Sequence, residues 1–314
     1  MGKIKVGVVG IGHLGVYHLK KYGMLEKCTI VGVVDVDVER AKKAAETFNC
    51  AAFADYRDLI GKVDAVSIAV PTNVHYVIAR DFLSAGVDTL LEKPMTSTLE
   101  EADELISTAE SNGAVLQIGF VERFNPAIRA LDAIIERPLF IESHRLHPFF
   151  QRGTDVDVVL DLMIHDLDII LHVVKGRPTH VEAVGISVLS DKIDISNARI
   201  TFDSGCVANI TASRVTGKKM QKIRFFSYNG YHSVDYGKRE LVSLSRKQGD
   251  KGQTEIISNN VEIKNCDPLE EEIKSFIHSV LSRDIPAVSG REGRKSLDLA
   301  IQVIDKMKVA QGVV

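Results

Sequence analysis

From the N-terminus to about residue 120, short apolar runs alternate with longer stretches whose apolar residues recur at helical spacing. The runs occupy residues 4–9, 30–34, 51–53, 65–69, 88–91 and 115–119. Most are continuous rather than alternating in polarity, the pattern of strands covered by helices on both faces. Between them residues 39–48, 74–85 and 99–111 predict helices, and Gly86 and Gly113 stand where C-terminal caps belong. The rhythm predicts six parallel strands joined by helical crossovers, a doubly wound α/β domain.

After about residue 125 the texture changes. A helix is predicted over 127–136, a strand over 140–147 and a helix over 157–174. Residues 181–189, 195–202, 207–213, 223–227, 233–236 and 241–245 then read as strands, with turn signals at Asp203-Ser204-Gly205 and Asn229-Gly230. Consecutive strands joined by tight turns imply a large, open, mainly antiparallel sheet. Residues 269–282 and 293–307 predict two closing helices, and 249–252 reads as a mobile hairpin tip. The expected division is 1–122 and 123–314, with the C-terminal helix packing back on the first domain. An open sheet with many apolar positions needs cover, which predicts a homodimer or homotetramer formed through it.

Composition narrows the class. A chain of 314 residues fits about two domains. Lys and Arg number 39 against 42 Asp and Glu, a net charge of −3 that disfavours nucleic acid and polybasic membrane anchoring. Hydrophobic residues at 45% and charged residues at 26% exclude disorder for most of the chain. Cys28, Cys50, Cys206 and Cys266 show neither disulfide-scaffold nor zinc spacing. With no secretory leader pattern and no apolar run of about 20 residues, a cytoplasmic protein without a membrane span or zinc site is expected.

Gly10-Ile11-Gly12-His13-Leu14-Gly15 matches GxGxxG where the first strand gives way to a helix. There Gly10 can make the tight turn, Gly12 can admit a pyrophosphate to the backbone, and Gly15 can let the helix pack closely. Asp35 follows twenty residues after the last glycine, at the end of the second strand, where a carboxylate accepts hydrogen bonds from an adenosine ribose. NAD is the expected cofactor, and NADP is disfavoured by the charge of Asp35. The alternative is a tight turn with Asp35 as a helix cap. Thr72 and Asn73, after the fourth strand, are equally placed to touch a cofactor or to cap a helix.

Glu92-Lys93-Pro94 ends the fifth strand, again at the carboxyl edge of the sheet. An isolated lysine at a strand exit is usually a surface lysine. Further on, Asp161, His165 and Asp168 are spaced i, i+4 and i+7, on one side of a predicted helix. An imidazole flanked by carboxylates suits proton abstraction near neutral pH, ahead of a solvated helix face or an incomplete metal shell.

The order of the glycine motif, Pro71-Thr72-Asn73 followed by His75, Glu92-Lys93-Pro94 and the Asp161/His165 helix before an antiparallel sheet resembles the Gfo/Idh/MocA oxidoreductase family over essentially the whole chain. The resemblance implies a Rossmann domain, a nicotinamide cofactor and sugar or polyol substrates. It implies Lys93 and His165 as the catalytic pair, Asp161 as their support, and a cis Lys93-Pro94 bond. His13, Leu14, His75, Glu92 and Lys93 join the cofactor set. Within the family, Gly119 to Pro126 and Asp161 to Asp166 look most like the UDP-N-acetylglucosamine 3-dehydrogenase branch, which acts early in making an amino sugar for lipid A. Substrate contacts are then expected from Lys93, Arg123, Asn125, Arg152 and His165, with Arg123, Arg145 and Arg152 available to a diphosphate. A free-sugar or inositol dehydrogenase and a non-enzymatic sensor on the same fold remain alternatives.

Overall fold

The computed structural model describes residues 2–149, 156–248 and 253–310. The chain divides into two units, one of residues 1–121 and 267–294, the other of residues 122–266 and 295–314.

The first unit is built on a parallel sheet of six strands, β1 (Ile4–Val9), β2 (Cys28–Val34), β3 (Ala51–Phe53), β4 (Ala65–Ile68), β5 (Asp88–Glu92) and β6 (Leu116–Gly119). They lie in the order β3-β2-β1-β4-β5-β6. The crossovers carry α1 (His13–Gly23), α2 (Val38–Phe48), α3 (His75–Ser84) and α4 (Leu99–Ser111). The strand order reverses at β1, with β2 on one side and β4 on the other, and the ligand crevice of such sheets opens at the carboxyl ends of these strands. Helix starts follow their caps: Asp37 accepts from the Arg40 amide, and Thr98 and Glu101 form a reciprocal capping box. One face of the sheet is closed by α1 and by α7 (Pro268–Ser282), whose Ile273, Phe276 and Val280 join Val6, Val8, Leu19 and Tyr22 in one core.

The second unit carries an eight-stranded sheet of β7 (Phe140–Leu146), β8 (Pro178–Ile186), β9 (Ile195–Phe202), β10 (Val207–Ser213), β11 (Met220–Phe226), β12 (Gly230–Asp235), β13 (Glu240–Gln248) and β14 (Thr254–Asn259). The order is β14-β13-β12-β11-β7-β10-β9-β8, antiparallel except where β7 meets β10. Its helices are α5 (Pro126–Asp132), shorter than its pattern predicts, and α6 (Ile164–Val174). In α8 (Gly290–Ala310), residues 290–294 belong to the first unit and 295–310 to the second. Asp194 secures the turn between β8 and β9. Its buried carboxylate accepts from the amides of Val188, Leu189 and Ser190 and from Arg214. Burial works to raise that carboxyl, but the Ser190 hydroxyl, the amides and Arg214 outweigh it and hold the group far below the usual carboxylate range.

β14 has no counterpart in the sequence expectation. Five of its six residues are exposed and it lies at the sheet edge, so its side chains carry no alternation; pairing with β13 defines it. The expected hairpin tip at 249–252 lies outside the described residues, as does Arg152. Among the described residues no helix is long and apolar enough to cross a membrane, and no group of three or more His, Cys, Asp or Glu is placed to hold a metal ion. All four cysteines are free thiols.

Candidate functional site

In the first unit the three glycines do three different things. Gly10 has φ +88°, and a Cβ there would strike the Ala69 carbonyl oxygen. A Cβ on Gly15 would strike the carbonyl oxygen of Gly10, so α1 can start this close to β1 only with glycine. At Gly12, by contrast, nothing lies within 4 Å of a Cβ position. Gly12 is also the N-cap of α1 and brings no side-chain acceptor to the first-turn amides. Open space over a helix start at the sheet's switch point fits a dinucleotide pyrophosphate, with His13 and Leu14 opening the helix beneath it.

Asp35 is buried and ties the loop together. One carboxylate oxygen accepts from the Ile11 amide at 2.7 Å, the other from the Asp37 amide at 2.8 Å. Helix capping falls to Asp37, two residues later than the alternative reading of Asp35. The Arg40 guanidinium, half exposed, lies 3.3 Å from Asp35 and 3.1 Å from Asp37. A cation therefore stands beside the acid.

Thr72 and Asn73 form a short 3-10 turn with Val74, begun by Pro71 without a side-chain cap. His75, expected at the cofactor, is buried beneath it. Its Nδ1 lies 2.8 Å from the Pro94 carbonyl and its Nε2 2.9 Å from the Val70 carbonyl. The ring thus ties the strand exit of β4 to the turn after β5. Burial lowers its pKa while the two carbonyls pull the other way. The Lys93-Pro94 peptide bond is cis, as the resemblance implies, and Glu92 at the end of β5 is buried.

In the second unit the expected helix over 157–174 is two elements. A π-helical turn, Val159–Met163, precedes α6. The wider turn resets the register between Asp161 and His165, a device found often at functional positions. Asp161 and His165 are both partly exposed, whereas Asp166 and Asp168 are buried. Asp168 accepts from Arg123 Nε at 2.7 Å and from the Ser296 hydroxyl at 3.1 Å. Asp166 takes Arg145 side-on, at 2.7 Å and 3.2 Å, and the same guanidinium reaches Glu122 at 3.1 Å. Arg145 also lies over the Tyr236 ring, 4.6 Å from its centroid. Burial and then the charge of Asp166 push the Tyr236 phenol well above its ordinary range.

Two arginines expected to face a diphosphate are therefore internal, Arg123 on Asp168 and Arg145 between Asp166 and Glu122. Asn125 is buried too. Its Oδ1 accepts from the Ala127 amide to start α5, and its Nδ2 donates to Glu122 at 3.0 Å and to the Tyr236 carbonyl at 3.2 Å. The sequence reading missed this network under the His165 helix; the run of acids in Asp161 to Asp168 was its signal.

Residues 4–120 match the oxidoreductase family with an NAD-binding Rossmann fold, and residues 128–231 match the GFO/IDH/MocA C-terminal domain. The chain belongs to the GFO/IDH/MocA family. It is an oxidoreductase of the nicotinamide-dependent kind, as the motif order implies. It is 38% identical to UDP-N-acetylglucosamine 3-dehydrogenase of Acidithiobacillus ferrooxidans, over 96% of each chain. A solved structure of that enzyme superposes with a TM-score of 0.92 at 37% identity, covering 98% of this chain and 99% of the other. The myo-inositol 2-dehydrogenase of Thermotoga maritima is 28% identical over 94% of this chain and 93% of its own. For a GFO/IDH/MocA member the glycine loop and the second sheet are thus in the expected order.

Proposed function

We propose that this protein is an NAD-dependent dehydrogenase that oxidises the 3-hydroxyl of UDP-N-acetylglucosamine to the 3-keto sugar, as an early step toward an amino sugar. The observation that carries the reading is the whole-length likeness, 38% against 28%, to a nucleotide-sugar dehydrogenase rather than an inositol dehydrogenase. Gly10, Gly12 and Gly15 receive the cofactor, and Asp35 selects its unphosphorylated ribose.

The bound nicotinamide supplies the hydride acceptor. Lys93 steadies the alkoxide that develops as the carbinol hydrogen departs, and His165 takes the hydroxyl proton, a general-base role worth about 10² to 10⁴ in rate. Asp161 orients His165. Arg152 is the guanidinium left to meet the diphosphate, since Arg123 and Arg145 are each spent on buried carboxylates. A second copy of the chain covers the open sheet, where Val184, Ile186, Val242 and Ile256 are exposed.

The test follows NADH absorbance with UDP-N-acetylglucosamine and a carbonyl trap, because ketone formation is uphill. Formation of NADH, its loss in Lys93→Ala and competition by UDP support the reading; NADH with free sugar alone, or unchanged turnover in Lys93→Ala, overturns it. A second reading, an inositol dehydrogenase, is favoured by the near full-length match to the Thermotoga maritima enzyme.

A further inference from the structure

Behind the Glu92-Lys93-Pro94 turn the first unit buries an acidic pair for which the reaction above has no use. Glu272 of α7 is 0% exposed, in a helix whose other buried residues are Ile273, Phe276, Ile277, Ser279 and Val280. Neither of its carboxyl oxygens meets a hydrogen-bond donor. Its neighbours are Glu92 at the end of β5, whose charge acts on it, and Gln117 of β6, while His18 of α1 stands beside Glu92; all three are buried. His18 Nε2 lies 3.2 Å from Glu92 Oε1, with the ring turned off the line of a hydrogen bond. Gln117 donates to the Glu272 backbone carbonyl at 3.2 Å and leaves its own Oε1 unpaired. Gly119 makes room for the acid, since a Cβ there would stand 2.7 Å from Glu92 Oε1.

Two carboxylates in so dry a place cannot both ionise. Burial, and then the charge of Glu92, raise the Glu272 carboxyl well above the usual range. The other groups near this face are Tyr22, whose hydroxyl pairs with Ser67 at 2.7 Å, and Cys28 of β2, whose thiol burial pushes up to about 11. Lys21 of α1 is committed to Asp267 and Glu270. Among the described residues no cation pairs with the Glu272 carboxyl, and a proton answers its charge.

We propose that Glu272 is a positioning residue for Lys93: it holds one proton behind the Glu92 carboxyl and thereby fixes the turn that carries the lysine. This rests on the catalytic reading of Lys93. A residue of α7, some 180 positions downstream in the sequence, then helps to set the geometry at the exit of β5. Misplacing a reacting group through such a support costs about tenfold to a hundredfold in rate.

The experiment compares the full chain with Glu272→Gln, Glu272→Ala, Glu92→Gln and Lys93→Ala, by kcat against pH and by infrared difference spectroscopy. At neutral pH the wild type shows the carbonyl stretch of a protonated carboxylic acid, and Glu272→Gln lacks it. Glu272→Ala loses kcat more than it changes the KM for NAD, and Glu272→Gln, a permanent neutral acid mimic, restores kcat and removes the alkaline limb that deprotonation of Glu272 gives the wild type. Stability adds a second readout. The folded chain keeps a proton that the unfolded chain releases above about pH 4.3, so this group makes stability fall as pH rises, and Glu272→Gln abolishes that fall.

An unaltered infrared band in Glu272→Gln overturns the proposal, as does a pH profile in Glu272→Gln and Glu92→Gln identical to wild type while Lys93→Ala is dead. Full activity of Lys93→Ala overturns the catalytic reading instead, and the positioning role with it. Should Glu272→Ala fail to fold, Glu92→Gln and the wild-type infrared band still decide.

Discussion

Arg145 is the sharpest place to test the packing beneath His165. Its side chain is 3% exposed, lies over the Tyr236 ring and meets Asp166, 0% exposed, through two of its nitrogens. Substituting alanine leaves Asp166 without its cation and Glu122 without one of its partners. Removing one member of a buried ion pair costs about 3–5 kcal/mol, most of it the penalty of stranding the other charge. At about 2–4 °C per kcal/mol for a unit of this size, melting of the second unit should fall by about 6–20 °C. Differential scanning calorimetry reads this directly. Arg145→Lys should recover only part, because an ammonium cannot grip a carboxylate side-on. Arg145→Met combined with Asp166→Leu should sit close to wild type in stability while kcat falls, since Asp166 neighbours His165. A fall below about 2 °C in Arg145→Ala, against the expected cost, or a double variant as unstable as the single one, would refute the reasoning.

Gly10→Ala should lower both stability and cofactor affinity, for it adds about 1–2 kcal/mol of backbone strain at positive φ to a collision with the Ala69 carbonyl. Gly12→Ala, with open space around it, should melt like wild type and lose NAD affinity by isothermal titration; unchanged affinity would take the pyrophosphate away from this loop. Asp35→Ser should remove the acid that repels a 2′-phosphate and leave Arg40, still paired with Asp37, to meet it, moving the NADP to NAD ratio of kcat/KM upward by about tenfold or more; a ratio that stays fixed would mean Asp35 serves only to bind the Ile11 and Asp37 amides. Asp194, held below its unfolded pKa of about 3.9, contributes stability that is present above that value and lost as pH falls through the folded one. The Asp194→Asn variant should therefore lose melting temperature at pH 6 and show a flatter decline toward pH 3 than the wild type.

Most of the fold was legible because each layer of it has a local cause. The largely apolar runs of β1 and β4 mark strands buried on both faces, and Leu99–Ser111 is bounded by its capping box on one side and Gly113 on the other. The glycine motif could be read residue by residue, since each glycine answers a separate steric demand. Other features depend on partners that spacing does not show. The π turn at Val159–Met163 keeps the composition of an α-helix, so Asp161 and His165 look four residues apart on one face when the register has slipped. Arg123, Arg145 and Asn125 look like contacts for a substrate until Asp168, Asp166 and the α5 amide are seen to occupy them. Glu272 leaves a trace in the sequence, a carboxyl three residues after Leu269 and four before Phe276, on the apolar stripe of α7.

The most direct measurement of the central claim is the initial rate of NADH formation with NAD and either UDP-N-acetylglucosamine or myo-inositol, both with a carbonyl trap, on the wild type and on Lys93→Ala. The account predicts a higher kcat/KM for the nucleotide sugar and loss of that rate in Lys93→Ala. Turnover of myo-inositol alone, or turnover of the nucleotide sugar that survives the loss of Lys93, would contradict it.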